Sequence, residues 1–531
     1  MFSSITSAAL CGIDARIVSV ETDVGCGLPT FDMSGYLGME VKEAKERVRI
    51  AIKNTGVELP PQRIVVNISP ADIRKEGTGF DLPIAIGILV SNGIIDEAKV
   101  KDILVLGELS LDGTVNPVNG MLPIVCAAKE AGIKLCIIPK DNLKEGSIAE
   151  GIQLYGAESL KEVQDILINN SLDGVSANNP SDDYNNNYAD EFYADKLEKN
   201  KPAVRLNADS DEEEDYLDIR GQYSAKRATL IAAAGMHNIM YVGPPGSGKT
   251  MLAKRIPTIL PDMTYEEQLK VTKIYSVAGK LDAAKGLIIK RPFRSPHHTI
   301  TSAAMLGGGR IPRPGEITLA GSGVLFLDEM TEFRPDLMES LRQPLEDKKI
   351  TVVRLNAAYT YPAEFMLAAA INPCKCGYYP DRNRCHCSEY DIRRYIGRIS
   401  NPMWDRFDMC IKVDEVTYED VTGVNDNCDL YSSSYMKEQV ERVRHIQQER
   451  FKGSKTEYNS QMNMREIKKY CKLDEESSMI MESMYNKLSM SARGYGKVLK
   501  TARTIADLAG SVDILSEHIT EALIYRKNEV R

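Results

Sequence analysis

The stretch Gly243-Pro-Pro-Gly-Ser-Gly-Lys-Thr250 decides the fold, because it matches the phosphate-loop pattern in full. The apolar residues 239–242 before it predict a strand, and the residues from Met251 onward predict a helix, which is the context that the loop requires. Lys249 is expected to reach the β- and γ-phosphates of a nucleotide, and Thr250 is expected to bind Mg²⁺. A glycine-rich turn without a ligand is the alternative. The residues predicted to surround the phosphates are Gly243, Pro244, Pro245, Gly246, Ser247, Gly248, Lys249 and Thr250.

Two apolar runs further along the chain each end in polar side chains suited to phosphate chemistry. Residues 323–329 read Gly-Val-Leu-Phe-Leu-Asp-Glu, in which Asp328 is expected to hold Mg²⁺ and Glu329 to polarise the attacking water. Residues 365–372 read Phe-Met-Leu-Ala-Ala-Ala-Ile-Asn, so Asn372 is expected to orient the water or the γ-phosphate. A simple cap at the end of a strand is the alternative for Asn372. With Lys249, these residues predict a site that hydrolyses ATP with Mg²⁺.

The pattern along the 531 residues predicts three folded segments and a linker. Residues 1–168 alternate strand-like and helix-like runs and predict one α/β domain. Residues 169–215 are rich in asparagine and acidic residues and predict a solvated linker, because they cannot bury enough apolar surface to offset their chain entropy. Residues 216–428 predict a second α/β domain, and the helical period of residues 429–531 predicts a helical domain.

Acidic residues are concentrated in the linker. The net charge is −9, from 66 basic and 75 acidic residues, but residues 171–219 alone carry 14 acidic and 4 basic residues. That segment has a net charge of −10, which leaves +1 for the remainder, so an anionic partner is not excluded. No run approaches the roughly 20 apolar residues of a membrane span, and no basic residue precedes Arg16. We therefore expect a cytoplasmic protein without a membrane partner.

Two arginines follow these motifs, and the order of all the elements resembles the AAA+ ATPases. Arg406 lies in Trp404-Asp-Arg-Phe-Asp408, and Arg493 lies in Ser491-Ala-Arg-Gly494. The resemblance implies that Arg406 is an arginine finger acting on a neighbouring subunit's nucleotide and that Arg493 is the sensor-2 arginine. It also places 218–222 on the adenine side of the site. Taken singly, each arginine is more often a surface ion-pair residue.

Other motifs narrow the resemblance to one family. The segments 293–299, 307–310 and 312–316 resemble the insert of the magnesium-chelatase-like branch, and the segments 27–29, 46–48, 74–77, 80–83 and 137–139 resemble the Lon-protease-like domain of the YifB/ComM family. The chain thus resembles that family over nearly its whole length outside the linker. The resemblance implies a homo-oligomeric ring, expected to be a hexamer. It also implies ATP hydrolysis coupled to movement on single-stranded or branched DNA, a branch-migration or helicase role in recombination or transformation.

The N-terminal domain departs from active Lon-type peptidases, which use a Ser–Lys dyad. Where the serine is expected after Lys75-Glu-Gly77, the chain reads Thr78-Gly-Phe-Asp81, and near the lysine position it reads Gly120-Met-Leu-Pro123. No lysine lies between Lys101 and Lys129, so the general base is missing. We expect a binding or assembly module rather than a peptidase.

Four of the eleven cysteines lie within fourteen residues, at the spacing C-x-C-x₈-C-x-C. Four thiolates in one loop can close a tetrahedral Zn²⁺ site. Because C-x-C is less common than C-x₂-C, four reduced thiols remain the alternative. His386 lies between two of them and could replace one. The cysteines concerned are Cys374, Cys376, Cys385 and Cys387.

Basic residues cluster in the insert and after the cysteines. In a ring, loops from several subunits would line one channel, and these charges suit a phosphate backbone. Solvated loops, or arginines that pair with nucleotide, are the alternative. The residues are Lys285, Lys290, Arg291, Arg294, Arg310 and Arg313 in the insert, and Arg382, Arg384, Arg393, Arg394 and Arg398 after it.

Three other functions remain open. The first is a chelatase-type motor that inserts metal into a tetrapyrrole, which resembles residues 216–531 only. The second is an ATP-dependent peptidase, against which the missing dyad argues. The third is a nucleotide-gated assembly scaffold without motor activity.

Overall fold

The computed structural model describes residues 2–169, 214–282, 286–309, 312–354, 357–416, 431–488 and 490–526, and at 353, 354, 357 and 358 it describes the backbone only. These residues form two compact units. The first takes in residues 2–169 together with Tyr275–Leu287, and the second takes in most of the remainder. The predicted linker at 169–215 lies almost wholly outside the described residues, as do Lys285, Arg310 and the predicted boundary at 428.

The first unit is built on a seven-stranded sheet with the order β3-β4-β2-β1-β5-β8-β9. Its central helix, α2, has all eleven residues buried and packs against β1 and β2, as its apolar sequence predicts. The elements are β1 (Phe2–Cys11), β2 (Asp14–Gly25), β3 (Thr30–Ser34), α1 (Met39–Asn54), β4 (Arg63–Ser69), α2 (Asp81–Ser91), β5 (Ile103–Val105), β6 (Glu108–Leu109), β7 (Val115–Asn116), α3 (Met121–Glu130), β8 (Leu135–Pro139), α4 (Leu143–Gly146), β9 (Gln153–Ala157) and α5 (Leu160–Asn169).

The second unit begins with an α/β core. Its five-stranded sheet has the order β11-β14-β17-β10-β18, and all four pairings between neighbours are parallel. The elements are α6 (Tyr223–Gly235), β10 (Ile239–Val242), α7 (Lys249–Lys254), α8 (Ile256–Ile259), α9 (Tyr265–Val277), β11 (Phe293–Arg294), α10 (Ser302–Leu306), β12 (Gly307–Gly308), β13 (Arg313–Pro314), α11 (Glu316–Leu319), β14 (Val324–Leu327), α12 (Pro335–Ser340), α13 (Arg342–Asp347), β15 (Lys349–Arg354), β16 (Ala357–Pro362), β17 (Met366–Ile371), α14 (Glu389–Ile396), α15 (Asn401–Trp404) and β18 (Met409–Lys412).

The strand order of this sheet sets the position of the site. Strands β10, β14 and β17 are buried along their whole length, as expected of parallel strands covered on both faces. The chain order reverses between β10 and β17, which lie side by side. Parallel sheets bind ligands at the carboxyl ends of the strands next to such a reversal. The phosphate loop, the acidic residues after β14 and the polar residue after β17 all lie at these ends.

Among the described residues, five helices follow the sheet in the second unit, and they share one hydrophobic core with α6 and the sheet. They are α16 (Ser433–Arg450), α17 (Met464–Tyr470), α18 (Glu475–Lys487), α19 (Ala492–Ala509) and α20 (Ser516–Ile524). Helix α19 begins at Ala492, because the Ser491 hydroxyl accepts a hydrogen bond from the Gly494 N–H at 3.1 Å and caps the helix there. This start places Arg493 in the first turn of α19. The α/β fold with a helical end is confirmed.

Within the described parts of the chain, no helix combines the length and the apolar character needed to cross a bilayer.

Candidate nucleotide-binding site

The phosphate loop connects β10 to α7, as the motif predicts. Its backbone depends on glycine in two ways. Gly248 has φ of 85°, in the left-handed region that favours glycine. A Cβ on Gly243 would lie 2.3 Å from the carbonyl oxygen of Val413, so only glycine allows the backbone just after β18 to approach this closely. The glycines at 243 and 248 are therefore needed for the backbone conformation of the phosphate loop.

Lys249 folds back onto its own loop. Its Nζ donates to the carbonyl oxygens of Gly243 and Pro244, at 2.8 and 2.7 Å, and to Oδ1 of Asn372 at 3.2 Å. Burial lowers the pKa of Lys249 to about 8, and the carboxylates of Asp328 and Glu329 oppose this shift. An ammonium held at this position can turn toward a phosphate oxygen without moving the backbone.

Thr250 and Asp328 meet at the neighbouring strand end. The Thr250 hydroxyl donates to Asp328 Oδ2 at 2.7 Å, and the Glu329 N–H donates to Asp328 Oδ1 at 2.9 Å. A hydroxyl and a carboxylate, with the oxygens of a bound phosphate, form the hard donor set that Mg²⁺ prefers. These residues fit a magnesium ion that nucleotide would carry in.

Glu329 follows Asp328 with its backbone in a costly conformation. Its φ is 48°, which non-glycine residues seldom adopt and which occurs more often at functional sites. The side chain is exposed, so the carboxylate is free to meet water beside the phosphate loop. The four residues predicted from three separate motifs thus form two hydrogen-bonded pairs, Lys249 with Asn372 and Thr250 with Asp328.

Arg406 and Arg493 come together at a second place, on one carboxylate. Arg406 Nη2 lies 2.5 Å from Oε2 of Glu346, and Arg493 Nη2 lies 3.5 Å from Oε1 of the same residue. The Arg406 side chain is 12% exposed and that of Arg493 is 65% exposed. Glu346 lies on α13 and belongs to no motif, so the sequence contained no signal for it.

A buried ion pair behind Arg406 joins its segment to α19. Lys497 Nζ lies 2.9 Å from Asp408 Oδ1 and donates to the carbonyl of Phe407 at 3.1 Å. Burial acts to raise the pKa of Asp408, but the Lys497 ammonium and His237 hold it well below its usual value. Lys497 is four residues after Arg493, so both lie on one face of α19, a spacing that sequence reasoning could have used.

Comparisons with known proteins follow the same division of the chain. Family models match three stretches: the one described as magnesium chelatase, subunit ChlI, matches residues 215–421, subunit ChlI of Mg-chelatase matches 20–142, and the ChlI C-terminal model matches 431–526. The competence protein ComM of Haemophilus influenzae is 39% identical over 523 residues, which cover 98% of this chain and 97% of that protein. The chain belongs to the ComM/YifB family. The resemblance expected from the motifs is confirmed.

Two further relatives support this ComM/YifB assignment. YifB of Escherichia coli is 37% identical over 529 residues, covering 99% of this chain and 97% of that protein. Lon protease 2 of Bacillus subtilis is 34% identical over 155 residues, or 27% of each chain. The N-terminal region of this ComM/YifB protein is therefore Lon-like, and the AAA+ core with its helical end is of the magnesium-chelatase type.

In the Lon-like region, the two places expected to hold a dyad contain an ion pair and apolar side chains. Asp81 is the first residue of α2, with its side chain 1% exposed, and accepts from Arg47 Nε at 2.7 Å and Nη2 at 2.9 Å. Met121 and Leu122 begin α3 and are fully buried. Asp81 is thus engaged in fixing α2 to α1.

The four-cysteine loop follows directly after β17 and Asn372. The four Sγ atoms lie within 4.8 Å of one another. Cys374 and Cys385 are buried, and Cys374 Sγ lies 3.3 Å from that of Cys376 and 3.7 Å from that of Cys385. The spacing in sequence therefore does bring all four sulfurs together.

The predicted basic surface is smaller than the sequence suggests. Arg291 is buried and pairs with Glu267 at 3.3 Å, and Arg294 makes two hydrogen bonds to Glu316, at 2.5 and 2.8 Å. After the insert, Arg384 pairs with Glu415 and Arg398 with Glu332. Exposed basic side chains remain at Lys290, Arg313, Arg382, Arg393 and Arg394, of which Arg393 lies 3.5 Å from Glu389.

Proposed function

We propose that this protein is a cytoplasmic ATP-hydrolysing ring motor that acts on DNA, in which the phosphate loop binds ATP with Mg²⁺. The observation that carries the proposal is the convergence of Lys249, Thr250, Asp328 and Asn372 at the carboxyl ends of three neighbouring strands. A glycine-rich turn without a ligand would not need a lysine, a hydroxyl, a carboxylate and an amide to meet beside it. The ComM/YifB membership and the magnesium-chelatase match support the same activity.

Each of these residues takes one part in hydrolysis. Lys249 would exchange its carbonyl partners for β- and γ-phosphate oxygens, while Thr250 and Asp328 would hold Mg²⁺ against the same phosphates. Glu329 would take the proton of the attacking water as general base. Asn372 would orient that water or the γ-phosphate, because its amide already reaches the lysine.

Arg406 and Arg493 would act together on a neighbouring subunit's nucleotide. They share Glu346, and the Lys497–Asp408 pair ties α19 to the segment that carries Arg406. Two arginines presented side by side can stabilise charge that develops on a transferred phosphoryl group. A homo-oligomeric ring, taken to be a hexamer, would complete each site at a subunit interface.

DNA is the proposed track. Lys290, Arg313, Arg393 and Arg394 are exposed, and a ring repeats each of these charges along one path. The full-length similarity to a competence protein favours single-stranded or branched DNA and a branch-migration role over a tetrapyrrole substrate. The Lon-like region would bind partners or aid assembly rather than cleave peptides, because the sequence lacks both dyad residues.

The deciding experiment measures ATP binding and ATPase rate with and without branched DNA. The Glu329→Gln variant should bind ATP normally and hydrolyse it about a hundredfold more slowly, because the amide cannot accept the proton. Glu332→Gln, which changes an exposed acid three residues away, is the matched control and should keep the native rate. Equal rates in Glu329→Gln and the native protein would show the site assignment to be wrong.

The DNA step has its own test. Replacing Lys290 and Arg313 with alanine should reduce the slope of DNA affinity against salt by about one per charge, with little change in DNA-free ATPase. The Lys42→Ala/Lys45→Ala variant removes two exposed lysines from α1 and serves as control. DNA binding by the insert variant that equals the native protein at every salt concentration would place the DNA path elsewhere. ATPase stimulated by a porphyrin and not by DNA would favour the chelatase-type motor.

A further inference from the structure

The four-cysteine loop has the geometry of a mononuclear tetrathiolate site. Tetrahedral Zn²⁺ with Zn–S bonds of about 2.3 Å places its sulfurs about 3.8 Å apart. The two measured separations are 3.3 and 3.7 Å, and no pair of the four sulfurs exceeds 4.8 Å. All four are free thiols, so the sulfurs are gathered without a disulfide. Four close sulfurs around a common centre match one small soft ion.

The loop around these sulfurs is shaped to hold them. The N–H of Cys385 donates to the Asp381 carbonyl at 2.8 Å, and that of Gly377 donates to the Cys374 carbonyl at 3.0 Å. The backbone N–H of Tyr378 donates to the sulfur of Cys376, and that of Cys387 donates to the sulfur of Cys385. Such outer hydrogen bonds orient and support metal-binding thiolates.

This loop also touches the phosphate loop. A Cβ placed on Gly377 would lie 2.5 Å from Cδ and 2.9 Å from Cγ of Pro245, so the Gly377 backbone packs closely against the Pro245 ring. Cys374 is two residues after Asn372, whose amide accepts from Lys249 at 3.2 Å. Arg384 anchors the other side, since it pairs with Glu415 just after β18 at 2.6 Å and lies over the Tyr378 ring at 3.9 Å.

We infer that Cys374, Cys376, Cys385 and Cys387 bind one Zn²⁺, and that this ion holds Asn372 and Pro245 in the positions that ATP binding needs. Without the ion, nothing covalent closes the loop, and the backbone of Gly377 is free to leave Pro245. Asn372 then loses its fixed place beside Lys249. Zinc would thus set the affinity for nucleotide from outside the nucleotide site. This inference rests on the proposed ATP site.

The metal is tested first, on the full-length protein. Purified without chelator, it should contain about one Zn²⁺ per chain, and replacement by Co²⁺ should give the visible absorption of tetrahedral thiolate coordination. Cys376→Ser should lower the zinc content, whereas Cys26→Ser, an exposed thiol far along the chain from the loop, should not. A chain without metal and with four reactive loop thiols would overturn the site, as would iron with acid-labile sulfide.

Coupling to nucleotide is tested by equilibrium binding of a fluorescent ATP analogue with Mg²⁺. Stripping zinc should weaken binding about tenfold, the effect of one charge-assisted hydrogen bond, and reloading zinc should restore it. Zinc removal that leaves the affinity unchanged would overturn the coupling. If the zinc-loaded protein does not bind the analogue at all, the proposed ATP site fails and the coupling fails with it, while the zinc content alone decides the metal site.

A glycine pair separates the contact from the metal. Gly377→Ala keeps all four thiols but places a methyl group against Pro245, so it should retain zinc and still bind the ATP analogue more weakly. Gly453→Ala is the matched control, because Gly453 has φ of 81° against 88° for Gly377, yet a Cβ there would meet no atom within 4 Å. Equal ATP affinity in the two variants would contradict the role of the contact.

Discussion

The lowered pKa of Lys249 makes a quantitative prediction for ATP binding. Burial lowers this pKa to about 8 in the chain without nucleotide. A bound phosphate would raise it again, because the anion favours the ammonium form. ATP should therefore bind the protonated chain, and binding above pH 8 should be accompanied by proton uptake.

The magnitude follows from the titration curve. Lys249 is about 10% deprotonated at pH 7, about half at pH 8 and about 90% at pH 9. The apparent dissociation constant for ATP should thus rise about twofold at pH 8 and about tenfold at pH 9, relative to pH 6.5. About half a proton should be taken up per ATP at pH 8. The affinity falls with rising pH because the folded-state pKa is depressed below its ordinary value.

Isothermal titration calorimetry in buffers of different ionisation enthalpy measures both quantities on the native chain with Mg²⁺ and a non-hydrolysable ATP analogue. Lys249→Arg provides the control, since a guanidinium stays protonated throughout and should give a weak but pH-independent affinity. AMP, which lacks the β- and γ-phosphates, should also show little dependence. An ATP affinity that stays constant from pH 7 to 9, without proton uptake, would refute the assignment of Lys249 as the buried phosphate-binding ammonium.

Other consequences of the structure can be measured directly. Lys497→Met should destabilise the protein by about 3 kcal/mol in urea unfolding at pH 7, because Asp408 is left buried without its ammonium, and adding Asp408→Asn should recover much of the loss. Since the pKa of Asp408 is depressed, its contribution to stability should be present above about pH 4 and decline as the pH falls below that value. Arg406→Ala chains should bind ATP yet hydrolyse it poorly, and mixing them with Lys249→Ala chains should recover part of the rate; a co-assembled mixture that stays inactive would refute action between subunits.

Much of the site could be predicted from sequence because its parts are local. The loop from Gly243 to Thr250 and the strand ends at Asp328 and Asn372 are short patterns in which each residue's chemistry depends on its neighbours in the chain. Parallel strands place their carboxyl ends at one edge, so three local patterns were enough to predict one joined site. The hydrogen bonds among Lys249, Thr250, Asp328 and Asn372 follow from that placement.

Ion pairs between residues far apart in the chain could not be predicted in the same way. The insert contains no acidic residue over 283–315, yet Arg294 pairs with Glu316, one residue beyond, and Arg291 pairs with Glu267, before the insert begins. Glu346 collects two arginines that lie 60 and 147 residues away in sequence. Nothing in a linear pattern records such partners, because tertiary folding alone brings them together.

If Arg406 and Arg493 act on a neighbouring subunit's nucleotide as proposed, the carboxylate of Glu346 would take the place of that nucleotide in the isolated subunit. A carboxylate and a phosphate each offer a pair of acceptor oxygens that a guanidinium group can bind in a similar way. Arg406 and Arg493 would therefore reach a neighbouring subunit's nucleotide by exchanging one anion, the Glu346 carboxylate, for another, a phosphate. Such an exchange favours the more highly charged anion. The two arginines would therefore bind a neighbouring subunit that holds a nucleoside triphosphate more readily than one without nucleotide. The order in which subunits join a ring would then depend on which of them already have ATP bound.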